Sequence, residues 1–269
     1  TRLTGWGQTG PSSRKGGHDI NYIAESGVLY HIGRRGTAPS IPLNLIADFA
    51  GGGLMAAYAV MSTLYQRTQT GRGDVLDVGM FDSCIHLMSS LYGAVEEGYW
   101  STQRGTNLLD SGAPFYNVYE ALDGNHIAVG AIEWQFYSAF LNAIGVSSID
   151  SSDQFNNELW PRQIEIISNV VRTKPLSDWM KIFDDVDACV SPVTPMSNVP
   201  SRAHAERRKS FVKVASTMQP AFPVRFKTSF VPTPKISPTP GIDSRQILSE
   251  FGRSERTIEK LIKQGIVSI

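Results

Sequence analysis

The sequence predicts an α/β protein, with α/β segments towards both ends of the chain and a smaller α+β unit between them. Its 269 residues are 41% hydrophobic and 19% charged, which is typical of a globular protein with a buried core. Residues 1–24 and 75–92 each pass from strand-like alternation to helical spacing. Residues 115–121 and 126–130 are two strand-like runs around a turn, and helical segments follow them.

The N-terminal third contains the first group of expected elements. Residues 1–10 predict a short strand that runs into a glycine turn, and residues 19–24 begin a helix for which Asp19 is a possible cap. Asp48 opens a helix that continues to residue 65, and we expect it to be buried because it is apolar on nearly every side. The remaining elements expected here are a turn at 71–74, a strand at 75–80 and a helix at 81–92.

The rest of the chain starts with a glycine-rich, polar linker at 96–113. Helical and strand periodicity then alternate until prolines dominate. The elements expected after the linker are strands at 115–121 and 126–130, helices at 135–144, 161–172 and 176–184, a strand at 188–193, an extended segment at 218–240, and helices at 244–251 and 254–264.

Charge and cysteine content exclude several classes of function. Lys and Arg total 25 and Asp and Glu total 25, so we expect neither nucleic acid nor an anionic membrane as a partner. The two cysteines form no CxxC pair and no two histidines lie four residues apart, so no metal site is expected. The low cysteine content favours a reducing, intracellular compartment, and no targeting signal is visible.

The longest apolar stretch, residues 41–61, is interrupted by Pro42, Asn44 and Asp48. We therefore expect a buried helix with its lead-in and not a membrane span.

Gly5, Gly7 and Gly10 match the spacing GxGxxG. A dinucleotide site would need a helix directly after the glycines, but Pro11 and a polar run follow them. A glycine turn at the end of a strand is the favoured interpretation.

Two acidic residues and one histidine are the candidate functional side chains. His18 follows Gly17, and glycine lets backbone and ligand approach closely, although a lone histidine is also common in packed or surface positions. Asp48 lies among apolar residues, where an acid is costly unless it is hydrogen-bonded or functional. Glu133, at the end of a predicted strand, could cap the next helix or orient a histidine.

Three glycines at 51–53 follow Asp48 and lower the helix propensity of the segment. We interpret them as room for a ligand to approach the backbone. The bare N-terminus of this helix would then suit the developing negative charge of an enolate. Capping of the helix by Asp48 is the alternative.

Taken together, these segments resemble the α-methylacyl-CoA racemases within the family III CoA-transferase superfamily. The resemblance covers nearly the whole chain. Its carrying segments are 4–11, 17–22, 44–53, 71–77, 130–137 and 187–193.

The resemblance implies a role for each candidate residue. His18 would be the catalytic histidine, Asp48 the catalytic aspartate and Glu133 the glutamate that hydrogen-bonds the histidine. The residues implied to line the acyl-thioester site are Gly17, His18, Asp19, Ile20, Asn21 and Tyr22.

The resemblance also implies a fold. It predicts a Rossmann-like large domain, incomplete because the family has a segment ahead of Thr1 that carries most adenine and phosphate contacts to CoA, and an interlocked homodimer. The expected division is a large domain at 1–95 and 224–269, a linker at 96–113, a small α+β domain at 114–200 and a return linker at 201–223.

The implied activity is inversion of C2 of 2-methylacyl-CoA thioesters, by proton transfer through an enolate. CoA is part of the substrate, and no further cofactor is expected. The family implies a peroxisomal or mitochondrial place in fatty-acid and bile-acid metabolism. A CoA-transferase with Asp48 as nucleophile and a catalytically impaired truncated form are the alternatives.

Overall fold

The computed structural model describes residues 1–236 and 238–268, so position 237 of the expected extended segment lies outside the described residues. The chain divides into two units, Thr1–Val193 and Thr194–Ile269. Both units contain helices and short sheets, and the predicted α/β class is confirmed.

The first part of the first unit is a parallel strand pair with helices. Its elements are β1 (Arg2–Thr4), α1 (Asp19–Glu25), a 3-10 turn (Leu29–His31), α2 (Leu45–Thr70), β2 (Asp77–Gly79), α3 (Met80–Leu87) and α4 (Ser89–Glu96). β1 and β2 are parallel, with Leu3 opposite Val78. The start of α2 packs against α1 and α3.

α2 is continuous but changes its hydrogen bonding along its length. Leu45–Leu54 is π-helical and Met55–Thr70 is α-helical. The helix therefore begins three residues before Asp48, which the sequence had predicted as its first residue.

The prediction that α2 is buried is wrong. Leu54, Tyr58 and Tyr65 are 70%, 69% and 71% exposed, and no residue of Met55–Thr70 is buried. An apolar pattern shows that a helix can be covered, but it does not specify the element that covers it. By length and composition α2 could cross a membrane, but a single helix of this kind is weak evidence, so it is not a clear membrane span.

Two of the three glycines in α2 provide room for a helix, not for a ligand. A Cβ on Gly51 would lie 3.3 Å from the Cβ of Ser83, and one on Gly52 would lie 3.3 Å from side-chain carbons of Met80. Both glycines are buried, whereas Gly53 is exposed. The ligand-approach interpretation is therefore wrong for Gly51 and Gly52, because α3 occupies the space beside them.

The second part of the first unit has its own sheet and the larger hydrophobic core. Its elements are β3 (Tyr116–Glu120), β4 (His126–Gly130), α5 (Trp134–Ile144), a 3-10 turn (Ser151–Asp153), α6 (Trp160–Val171), α7 (Leu176–Phe183) and β5 (Val190–Pro192). The antiparallel strand order is β3-β4-β5. The fully buried side chains of its core include Phe115, Ile127, Tyr137, Phe140, Ile167 and Trp179.

Residues 96–113 connect the two parts and make specific contacts with the chain before them. Arg104 donates to the backbone carbonyl of Tyr30 at 2.6 Å and also to that of Thr37. Asn107 is buried, and its amide donates to the carboxylate of Asp110 at 2.7 Å. This segment is therefore held against the loop that follows α1.

The second unit contains a hairpin that the sequence did not predict. Its elements are a 3-10 turn (Met196–Asn198), α8 (Ala203–Arg207), β6 (Phe211–Val214), β7 (Thr217–Pro220), α9 (Ser244–Glu250) and α10 (Glu255–Lys263). β6 and β7 are antiparallel, although an extended segment was expected from residue 218. Two strands of this length give little alternation, which is why the pattern was missed. The expected closing helices are present.

Gly52→Ala should destabilise the protein, whereas Gly53→Ala should not. A Cβ at Gly52 would lie 2.8 Å from the carbonyl oxygen of Ala47, but at Gly53 the nearest atom is 3.7 Å away. We expect Gly52→Ala to lower the free energy of unfolding by about 1–3 kcal/mol. Gly53→Ala should leave it unchanged or raise it by up to about 1 kcal/mol. Denaturant titration measures both, and equal effects would contradict the close packing around Gly52.

Candidate functional site

The glycine turn after β1 holds an aromatic ring. A Cβ on Gly5 would lie 2.1 Å from the ring of Tyr22, and one on Gly17 would lie 2.8 Å from the same ring. Trp6 packs edge-on to Tyr22, with ring centroids 4.9 Å apart. The glycines therefore let Tyr22 lie against the backbone and position α1, and this agrees with a glycine turn instead of a dinucleotide site.

His18 lies at the start of α1 as its N-cap, with extended backbone angles. Its N–H donates to Oδ1 of Asn21 at 3.1 Å. The prediction of Asp19 as the cap is wrong by one residue, because Asp19 is already the first helical residue. The side chain of His18 is exposed.

Asp19 uses its side chain to cap a different helix. It is only 3% exposed, and its Oδ2 accepts hydrogen bonds from the N–H groups of Ala47 at 2.7 Å and Asp48 at 2.9 Å. Its Oδ1 is buried and has no partner among the described residues. Asp19 therefore joins the start of α1 to the start of α2.

The N-terminus of α2 is consequently not bare, and that part of the sequence interpretation is wrong. The carboxylate of Asp19 accepts two of its N–H groups, which are then not available to an enolate oxygen. The sequence could not show this contact because Asp19 and Ala47 are 28 residues apart in the chain.

Asp48 is half-buried at the same helix end. Its Oδ2 accepts a hydrogen bond from the side-chain amide of Asn44 at 3.0 Å. Burial and the charge of Asp48 together raise the pKa of the Tyr22 hydroxyl, which places that carboxylate near the aromatic ring under the glycine turn. Sequence reasoning missed Asn44, although its position four residues before an acid on a helix is a usable signal.

The predicted acyl-thioester segment divides into exposed and buried side chains. His18, Ile20 and Asn21 are exposed, whereas Asp19 and Tyr22 are buried. The structure thus brings His18 and Asp48 to neighbouring helix ends, with Asp19 between them. The role of the segment in binding substrate stays a prediction.

Glu133 lies on the second part of the unit, as the N-cap of α5. Its backbone carbonyl accepts N–H groups of Phe136 and Tyr137, at 3.0 and 3.1 Å, and its side chain is exposed. Within the described part of the chain, no hydrogen bond or ion pair joins its carboxylate to His18. The predicted Glu133–His18 pair stays a prediction.

A cavity of about 450 Å³ lies on the face of the β3-β4-β5 sheet. Arg34, Tyr116 and Cys189 are among its lining residues, and Arg34 donates to the carbonyl of Val118 at 3.0 Å. The pKa of the Cys189 thiol is raised by burial and by the charges of Asp187 and Glu133. Glu133 therefore lies near this cavity.

The described residues contain no group of three or more His, Cys, Asp or Glu side chains that could hold a metal ion.

Comparisons with known proteins identify relatives along the whole chain. Residues 1–244 match the model of CoA-transferase family III. Over 269 residues the chain is 41% identical to "Alpha-methylacyl-CoA racemase" of Homo sapiens and of Mus musculus, covering 99% of this chain and 70% of each relative. It is 29% identical over 283 residues to "Succinyl-CoA:glutarate CoA-transferase" of Homo sapiens, covering 98% of this chain and 62% of that relative.

Solved structures show the same fold. A CAIB/BAIF family protein from Brucella suis aligns with a TM-score of 0.71 at 19% identity, covering 92% of this chain and 66% of that chain. Rv3272 from M. tuberculosis, in its orthorhombic form, aligns with a TM-score of 0.64 at 18% identity, covering 84% of this chain and 59% of that chain.

The two cysteines should differ in reactivity. Cys84 is fully buried, and burial followed by the charge of Asp19 raises its pKa to about 11. Cys189 is exposed, so at pH 8 an aromatic disulfide reagent should modify it alone in the folded protein. Glu133→Gln should lower the pKa of Cys189 and speed its modification by about twofold. Glu165→Gln, an exposed change on α6, is the control, and equal rates in the two variants would contradict the position of Glu133.

Proposed function

The chain belongs to CoA-transferase family III, and within that family we propose that it inverts C2 of 2-methylacyl-CoA thioesters. The resemblance predicted from the sequence is thereby confirmed at the level of the family. The observation that carries the proposed activity is the 41% identity, over 99% of the chain, to proteins named alpha-methylacyl-CoA racemase.

The geometry supports the proposal because two different proton-transfer groups occupy neighbouring helix ends. The imidazole of His18 is exposed at the N-cap of α1. The carboxylate of Asp48 is half-buried in the first turns of α2 and is held by Asn44. Asp19 connects the two helix ends. Inversion at carbon needs one base and one conjugate acid on opposite faces of the substrate, and His18 and Asp48 provide this pair.

The reaction follows from the acidity that a thioester gives to its α-hydrogen. For one enantiomer a neutral imidazole of His18 removes the proton, and a protonated Asp48 returns one to the opposite face of the enolate. For the other enantiomer the carboxylate of Asp48 removes the proton and the imidazolium of His18 returns it. After turnover each group holds the protonation state needed for the reverse reaction. The chemistry needs no cofactor beyond the CoA of the substrate.

Glu133 would orient the imidazole of His18 by a hydrogen bond, in line with the role implied by the family resemblance. We assign His18 and Asp48 to a large domain, 1–95 and 224–269, and Glu133 to a small domain, 114–200. In the proposed interlocked homodimer, Glu133 of one chain meets His18 of the other. A peroxisomal or mitochondrial location stays a prediction.

A CoA-transferase is the second candidate, since less similar relatives carry that name. Asp48 would then be a nucleophile that forms a mixed anhydride with the acyl group. The family resemblance implies a glycine-rich run in the transferases where this chain has Ala131-Ile132-Glu133-Trp134, and this difference favours the racemase.

Incubation of a single enantiomer of a 2-methylacyl-CoA in heavy water should place deuterium at C2 while optical purity is lost. Both follow because the enolate is reprotonated from a group that exchanges with solvent. Mass spectrometry and chiral chromatography measure them. Inversion without deuterium would contradict the two-base reaction.

His18→Ala and Asp48→Ala should each slow inversion by at least about a hundredfold, the usual loss when general acid–base catalysis is removed. Circular dichroism checks that the variants fold. Near-normal turnover in His18→Ala, together with acyl transfer to a second carboxylic acid that is lost in Asp48→Ala, would replace the racemase with the transferase.

Co-expression of His18→Ala with Glu133→Ala should partly restore activity if the site is shared between chains. One site of each mixed dimer would then carry both lesions and the other none. His18→Ala with Asp48→Ala, two changes at the same pair of helix ends, is the control and should not complement. No recovery in a confirmed His18/Glu133 mixed dimer would mean that each chain builds its own site.

A further inference from the structure

We propose that the buried carboxylate of Asp19 is a positioning residue for the reaction: it fixes the N-terminus of α2 and so sets the place of Asp48 relative to His18. This inference rests on the proposed function. It gives Asp19 a role that acts through Asp48, not through contact with substrate.

A single oxygen, Oδ2 of Asp19, accepts the N–H groups of Ala47 and Asp48 at 2.7 and 2.9 Å. One of these N–H groups belongs to Asp48, a candidate catalytic residue. Asp19 itself directly follows His18, the other candidate, in the chain. Charge-assisted hydrogen bonds of this kind are shorter and stronger than neutral ones. A single residue, Asp19, therefore links the two proposed proton-transfer groups.

Burial of the Asp19 carboxylate is energetically costly. Asp19 is 3% exposed, and its Oδ1 has no partner among the described residues. A neutral Ser or Asn would satisfy the same N–H groups without burying a charge. A buried charge where a neutral helix cap would suffice is an energetically costly choice, and such choices are characteristic of functional sites.

The backbone of His18 is held independently of the Asp19 carboxylate. Its backbone N–H donates to Oδ1 of Asn21, a contact that does not involve Asp19. Loss of the Asp19 carboxylate should therefore displace Asp48 more than His18. This asymmetry separates positioning from a general loss of structure.

Asp19→Ala tests the link by comparing proton exchange with inversion in heavy water. Each enantiomer presents its α-hydrogen to a different base, so damage to Asp48 stops inversion but leaves exchange by His18. We expect kcat for inversion to fall by about a hundredfold. Solvent exchange should persist with the one enantiomer that uses His18, and KM should change by less than about twofold.

Asp19→Asn is the conservative variant, and it allows the test to be made even if Asp19→Ala does not fold. Its amide oxygen can still accept both N–H groups without a charge. It should retain more activity than Asp19→Ala, with kcat reduced by about tenfold or less. Asp82→Asn is the matched control: Asp82 is an exposed acid in the first turn of α3, and its replacement should change neither kcat nor KM.

Amide hydrogen exchange provides a readout that does not depend on activity. In Asp19→Ala the amides of Ala47 and Asp48 should exchange at least about tenfold faster than in the wild type, while those of α5 stay unchanged. NMR resolves this residue by residue. Unchanged protection at Ala47 and Asp48 would overturn the link itself.

The two arms separate the possible failures. If the wild-type protein neither exchanges the α-proton of the thioester with solvent nor inverts C2, the proposed function is refuted. Amide hydrogen exchange then still decides whether Asp19 holds the N-terminus of α2. If the wild type is active and both Asp19→Ala and Asp19→Asn keep full activity, the positioning role is refuted. The same conclusion follows if both variants lose inversion and exchange by the same factor for both enantiomers.

Discussion

The candidate site depends on the two hydrogen bonds that the buried carboxylate of Asp19 accepts. It belongs to α1, whose N-cap is His18, and it accepts the N–H groups of Ala47 and Asp48 at the start of α2. Negative charge is favourable at a helix N-terminus. The carboxylate of Asp19 lies at the N-termini of both α1 and α2. An imidazole and a carboxylate, far apart in the sequence, are thereby kept at neighbouring positions.

Close packing by glycine brings these helix ends together. Gly5 and Gly17 leave room for the ring of Tyr22, which places α1 against the turn after β1. Gly51 and Gly52 leave room for α3 beside α2. Added side chains would move the helices by the width of a methyl group or more, and a shift of about 1 Å in a reacting group can cost a hundredfold in rate.

Periodicity in the sequence predicted most of the elements, because strand and helix spacings differ clearly over eight residues or more. His18 and Asp48 could also be proposed as candidates, since each is a reactive side chain among glycines or apolar residues, but their catalytic roles follow only from the family resemblance. The cap of α2 could not be predicted, because it depends on a contact between Asp19 and residues almost thirty positions later. The exposure of α2 was also mispredicted, because the hydrophobicity of a helix does not specify which element packs against it.

A crystal structure with a non-enolisable 2-methylacyl-CoA analogue would show whether two bases flank C2 of the substrate. We expect C2 to lie between the imidazole of His18 and the carboxylate of Asp48, which would contact its opposite faces at about 3–3.5 Å. Both groups on one face of C2, or Asp48 in line with the thioester carbonyl carbon and His18 remote from C2, would contradict it.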